Sequence, residues 1–213
     1  MRPPESWTRA RVTIAIAVVT VAAWLIAEAL GASRLTPIWG GFIPARVGGG
    51  VEGPFAPLFL TPLTATLLHS GFAHLALNLL MLLFCGRAVE NIIGGPGFLS
   101  LYIAGAYVAA AAQYAVNPSD MALMVGASGA VSAVLGTYAM LFGRNRVKIA
   151  NPRVALWVNA LWLAAAWVVL QLIVGFTFNN RGGVGIAIAA HVGGFLTGML
   201  LAKPLLLLRY RKA

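Results

Sequence analysis

The residues able to do chemistry in this chain are few and regularly spaced. His74 and Asn78 stand four apart, so on a helix they share one face about 6 Å apart along the axis. His69 precedes His74 by five positions. Ser128 lies within Gly126-Ala127-Ser128-Gly129, and His191 is followed by Gly194 and Gly198 on the same helical stripe. A serine hydroxyl within hydrogen-bond reach of an imidazole is a nucleophile with its general base. Cys85 is the sole cysteine, which rules out an internal disulfide and a cysteine-based zinc site. As a nucleophile it is disfavoured, since it sits eleven residues beyond His74, about 16 Å further along a helix.

The elements that must carry these groups are apolar helices. Of 213 residues, 60% are hydrophobic and 9% charged, which excludes a disordered chain, collagen and an ordinary water-soluble globule. Six apolar stretches of about 18 to 23 residues, each long enough to cross a hydrocarbon core roughly 30 Å thick, cover approximately residues 12–30, 63–85, 98–116, 125–142, 154–175 and 184–206. The expected fold is all-α: one polytopic membrane domain over residues 1–213 in a lipid bilayer. Met1–Arg11 is too short for a cleaved signal, so the first span reads as an anchor. The first outer loop, from Gly31 to Pro62, is long enough to be functional or packed, with Trp39, Phe42, Phe55 and Phe59 able to reach the interface; the alternative is a flexible connector.

Charge sets the orientation. Twelve of the fifteen basic residues fall on the side holding both termini and loops two and four, while Arg34, Arg46 and Arg181 fall on the other. The positive-inside rule puts both termini in the cytoplasm and the odd-numbered loops outside. The net charge of +10 is therefore a topology signal, and no nucleic-acid partner is expected. Spans two, four and six then run from outside inward. Counted from their outer ends, Ser128 lies roughly 5 Å down, His191 roughly 10 Å and His74 roughly 15 Å. Packing span four on span six through glycines would bring Ser128 to His191. Each group has a structural alternative: a membrane serine can bond its own i−4 carbonyl, and a histidine or asparagine can tie helices together. Three polar groups on three spans at similar depth favour a site, because such groups are costly in lipid.

These motifs resemble the rhomboid intramembrane serine proteases. His74-Leu-Ala-Leu-Asn78 is similar to the family's HxxxN, Gly126-Ala127-Ser128-Gly129 to its GxSG, and Ala190-His191-Val192-Gly193-Gly194 with Gly198 to its AHxxGxxxG. His69, Glu90 and Gly94 match as well, and the likeness runs from about Ile14 to Leu206 in the minimal six-helix bacterial form. The resemblance implies a Ser128–His191 dyad without a carboxylate. It also implies an oxyanion hole of His74, Asn78 and the Ser128 N–H, with Gly126, Gly129, Gly194, Gly198 and His69 serving structure. No Asp lies within any span and Glu28 sits near the outer end of the first, so an orienting acid is not obviously at hand. Neutral His191 has only to accept the Ser128 proton as attack occurs. Where many members carry an aromatic residue on the base histidine, this chain has Ser132, leaving Tyr138 or Phe195 to hold His191.

The resemblance implies a serine endopeptidase that cuts transmembrane segments of other membrane proteins near their outer ends, in the bacterial plasma membrane, with no metal or organic cofactor. A helical peptide bond is covered, so the substrate must unwind, which Gly, Pro or polar residues below the cut would ease. Access is expected between spans two and five, with residues 176–183 as a lid or a plain turn. The competing reading is a non-catalytic rhomboid-like protein that binds membrane clients; such relatives typically lack the serine or the histidine, and both are present here. A small transporter would show inverted repeats, and none is found.

Overall fold

A computed structural model describes residues 6–7, 9–49, 51–143, 151–179 and 187–211. Among these the regular secondary structure is helical, apart from one isolated two-residue bridge between Phe42 and Met124. Helix α1 spans Arg11–Ala29, the short α2 Leu35–Gly40, and the four-residue α3 Thr61–Thr64. Helix α4 spans Phe72–Met81 and passes through one wide turn, Leu82–Gly86, into α5, Arg87–Val116. Helices α6, α7 and α8 span Ser128–Phe142, Pro152–Asn179 and Ile188–Tyr210. By length and composition, three stretches among the described residues suffice to cross a membrane: Arg11–Ala29, Phe72–Val116 and Ile188–Tyr210.

A straight helix over Phe72–Val116 would be about 68 Å long, twice a bilayer core. The chain avoids this at Gly94, whose φ of 78° and ψ of 163° break the helix at a conformation only glycine takes cheaply. Pro96 follows in the first turn of the next segment, where its missing N–H costs nothing. The chain doubles back there: a Cβ on Gly86 would touch the Phe98 ring, and Leu82, Leu101 and Tyr102 share one core.

Several expected boundaries move. The second span does not begin at residue 63, because Thr61–Thr64 and Ala65–Leu67 form separate turns and the chain is non-helical from Leu68 to Gly71. His69 thus precedes the helix, and Arg87 lies inside α5 instead of in a loop. The third span starts at the Gly94 break, before residue 98. The fourth starts at Ser128, since Val125 to Ala127 are non-helical, and the fifth runs further at both ends, over Pro152–Asn179. The sixth begins at Ile188; residues 184–186, like Arg144, Arg146 and Lys148 of the fourth loop, lie outside the described residues. Hydropathy runs on through Leu- and Val-rich loop ends, so composition places a span without placing its first turn.

The first loop is a packed structure and not a flexible connector. Phe42 and Met124 exchange backbone hydrogen bonds of 3.0 and 2.8 Å, Ala45 N–H donates to Asp120 C=O at 3.1 Å, and Gly126 N–H to Ala65 C=O at 2.9 Å. The Arg46 guanidinium lies 4.4 Å from the Phe55 ring centroid and donates to Ala56 C=O. These bonds fasten loop one to the segment leading into Ser128.

The core is built from α5, α6 and α8. Small residues let their backbones touch. A Cβ on Gly194 or Gly198 would strike the carbonyl oxygens of Gly129 and Ala133, and one on Gly136 that of Phe195. Thr137 Oγ1 donates to Gly198 C=O at 2.8 Å across the same seam. On α5, Gly105 faces Ala130 and Ala133, while Ala109 faces Gly129 and Ala112 faces Gly193. Helix α7 packs on α8, where the Trp167 and Phe195 rings stack 5.1 Å apart.

Candidate active site

Ser128 is the first residue of α6, His191 the fourth of α8 and His74 the third of α4. All three line one cavity of about 630 Å³. Three helix N-termini therefore converge on it, and α6 and α8 run in the same direction, since Gly194 and Gly198 of one meet Gly129 and Ala133 of the other in that order. The three groups lie nearer their helix starts than the apolar spans implied, because each helix begins later than its span.

Ser128 Oγ lies 2.7 Å from His191 Nε2. With that nitrogen unprotonated, the hydroxyl donates, which is the ground state for proton transfer to a general base. The distance depends on the α6–α8 seam, since Gly129, next to Ser128, meets Gly194, one turn from His191. On the far side of His191, its carbonyl accepts a 3.3 Å bond from Trp167 Nε1 of α7.

His74 approaches from α4. Its Nδ1 lies 3.1 Å from Ser70 Oγ. When that hydroxyl donates, the imidazole proton sits on Nε2, the nitrogen facing the turn before Ser128. Gly126 makes this approach possible. It has φ +112°, and a Cβ there would stand 2.6 Å from His74 Cε1 and 2.7 Å from Nε2. The first helical bond of α6 runs from Val131 N–H to Ala127 C=O, so the N–H groups of Ser128, Gly129 and Ala130 precede the ladder. Free N–H groups and the positive end of a helix dipole suit an anion forming at this spot.

The remaining expected residues fall around this core. Asn78 is buried behind His74 and donates through Nδ2 to the His74 carbonyl at 2.9 Å; it is not among the residues lining the cavity. The His69 ring packs edge-on to His74, with centroids 5.1 Å apart. Of the two candidates for holding His191, Tyr138, about 15 Å further along α6 than Ser128, packs on Phe84 and Phe142 instead, while Phe195 stacks on Trp167, whose Nε1 donates to the His191 carbonyl. In the expected lid, residues 176–179 continue α7 and residues 180–183 lie outside the described residues. Cys85 is buried in the core away from the cavity.

Sequence reasoning missed Trp167, Ser70 and Gly105. An indole N–H inside an apolar span and a serine four residues before His74 were legible signals. Gly105 shares its helical stripe with Ala109 and Ala112, a small-residue pattern of the kind noticed only in span six.

Residues 59–208, well over half of the chain, match the family model of the rhomboid domain. The chain is 33% identical over 143 residues to rhomboid protease GluP of Bacillus subtilis, covering 67% of this chain and 25% of that protein. It is 29% identical over 192 residues to rhomboid protease GlpG of Pectobacterium atrosepticum, covering 89% of this chain and 61% of that one. A plant relative, RHOMBOID-like protein 4 of Arabidopsis thaliana, is 32% identical over 179 residues, covering 84% and 41%. The chain spans between a quarter and just under two thirds of the length of the curated relatives it matches. Together with its apolar helices, this match makes it an integral membrane protein, and the chain belongs to the rhomboid family.

Proposed function

We propose that this protein is an intramembrane serine endopeptidase that cleaves transmembrane segments of other membrane proteins near their outer ends. The observation that carries the reading is the 2.7 Å pair of Ser128 Oγ and His191 Nε2 in a cavity otherwise lined mainly by small and apolar residues. His191 takes the Ser128 proton as Oγ attacks the scissile carbonyl. The oxyanion then accepts from the Ser128 N–H and from His74 Nε2, with Asn78 supporting from behind. His191 returns the proton to the leaving amine, and water hydrolyses the acyl-enzyme by the same route. Donors fixed in advance stabilise the tetrahedral intermediate most where water is scarce.

The architecture proposed with this activity is a single domain of six spans with both termini cytoplasmic, in a bacterial plasma membrane. It is supported by the end of the bundle opposite the cavity. There the Arg209 side chain lies against Gly94, the start of α1 meets Glu90, and the Arg87 guanidinium sits 4.8 Å from the Trp7 ring centroid. Basic residues from three segments gather there, as a cytoplasmic end requires.

The test is covalent labelling in detergent by a serine-directed fluorophosphonate, with cleavage of a model transmembrane substrate measured alongside. Wild type is expected to label and cleave, and Ser128→Ala and His191→Ala to do neither while still inserting and folding. Undiminished cleavage by purified Ser128→Ala ends the serine-protease reading. A folded wild type that neither labels nor cleaves favours client binding without catalysis.

A further inference from the structure

The cavity that holds Ser128 also holds a fixed negative charge. Among its described lining residues, Asp120 is the single carboxylate and no Lys or Arg is present. Asp120 is half-buried on the segment leading into Ser128 and is anchored by its backbone, since its carbonyl accepts from Ala45 N–H. Its Oδ1 accepts from Ala122 N–H at 2.9 Å, whereas Oδ2 has only a long 3.4 Å contact from Gln113 Nε2. That contact holds the carboxylate from the α5 side, while the Gln113 Oε1 atom itself is buried. A carboxylate oxygen with spare acceptor capacity, in a pocket whose other described lining residues carry no formal charge with the histidines neutral, matches a cationic donor group: an ammonium or a guanidinium.

The position relative to the reacting bond follows from α5. Ala109 faces Gly129, beside Ser128, and Gln113 lies one turn further out, about 6 Å along the axis. An extended substrate advances about 3.3 Å per residue. We propose that Asp120, positioned beside Gln113, is a specificity determinant that favours a Lys or Arg side chain within three residues of the scissile bond of the substrate. This rests on the protease reading and adds to it a substrate preference based on charge. Asp120 touches no reacting atom. It acts by binding, so its effect belongs in kcat/KM for one substrate against another.

The experiment uses a model transmembrane substrate carrying Lys, Gln or Glu in turn at each of the three positions on either side of the cut. Cleavage by the full chain in detergent is read as the Lys-to-Glu ratio of kcat/KM within each enzyme, so any general loss of activity in a variant cancels. At one position wild type is expected to prefer Lys by about tenfold or more. In Asp120→Asn, which keeps an acceptor for the Ala122 N–H, the ratio should fall towards one, and Asp120→Glu should restore part of it. A wild-type ratio near one at every position overturns the proposal, as does a ratio unchanged in Asp120→Asn. If wild type cleaves none of the substrates, the neutral ones included, the protease reading itself fails and this proposal falls with it.

Discussion

At the scale of the residue, Gly126 carries more of the site than its size suggests. It occupies a φ of +112°, unfavourable for any L side chain, and gives the His74 ring the space a Cβ would take. Gly126→Ala is therefore expected to cost at least about 10² in kcat/KM, because both the turn before Ser128 and the His74 donor are displaced. The check is kcat/KM beside the thermal midpoint of the purified variant; wild-type activity would separate His74 from the reaction. Asn78 acts one step back. Its amide grips the His74 carbonyl, so Asn78→Ala should lower kcat by about 10 to 10³ with little change in KM, as a support for transition-state donors would. A pure KM effect in steady-state kinetics would reassign it to substrate binding.

At the scale of the element, the seam between α6 and α8 sets the distance from Ser128 to His191. Gly194 meets the Gly129 carbonyl with nothing but hydrogen between them, one turn from His191. Gly194→Val is expected to separate the helices by about an ångström or more and to remove at least about 10²-fold of activity. Its thermal midpoint should fall as well, since the substitution overpacks a close backbone contact. Cleavage and unfolding measured on one preparation check both; full activity with unchanged stability would show that this seam does not set the Ser128–His191 distance. The glycine stripe was legible from spacing alone. So was Gly129 as part of its partner surface on span four; Ala133 and Gly136 were not, because they read as ordinary small residues until α8 lies against them.

At the scale of the whole molecule, the end of the bundle away from the cavity is closed by a buried carboxylate. Glu90 is 2% exposed, and its two oxygens accept from Val12 N–H at 2.9 Å, Thr13 N–H at 2.7 Å and Thr13 Oγ1 at 2.7 Å. A residue of α5 thereby caps α1 from 78 positions away, satisfying N–H groups that α1 cannot satisfy itself. Glu90→Gln replaces one acceptor oxygen with a donor facing donors. The loss expected is about 1–3 kcal/mol of stability, read as a lower thermal midpoint in detergent. Because α1 contributes no residue to the cavity, the folded fraction should retain kcat within a few-fold. A large fall in kcat with an unchanged midpoint would instead tie α1 to catalysis.

The sequence by itself determined the helical class and the placing of apolar segments, and it singled out Ser128, His191 and His74, which line one cavity. Membrane composition and polar exceptions within apolar runs are properties of the one-dimensional pattern. Tertiary structure alone decided where each helix begins, that a single glycine turns the chain at residue 94, and that loop one holds the approach to Ser128. It also set Asn78 behind His74, gave Trp167 to the His191 carbonyl, and turned Asp120 and Gln113 into the cavity. The physical reason is the same in each case. Hydropathy reports how much of a segment avoids water, whereas a hydrogen-bond partner or a backbone contact distant in the chain exists only once helices from other parts of the sequence have packed.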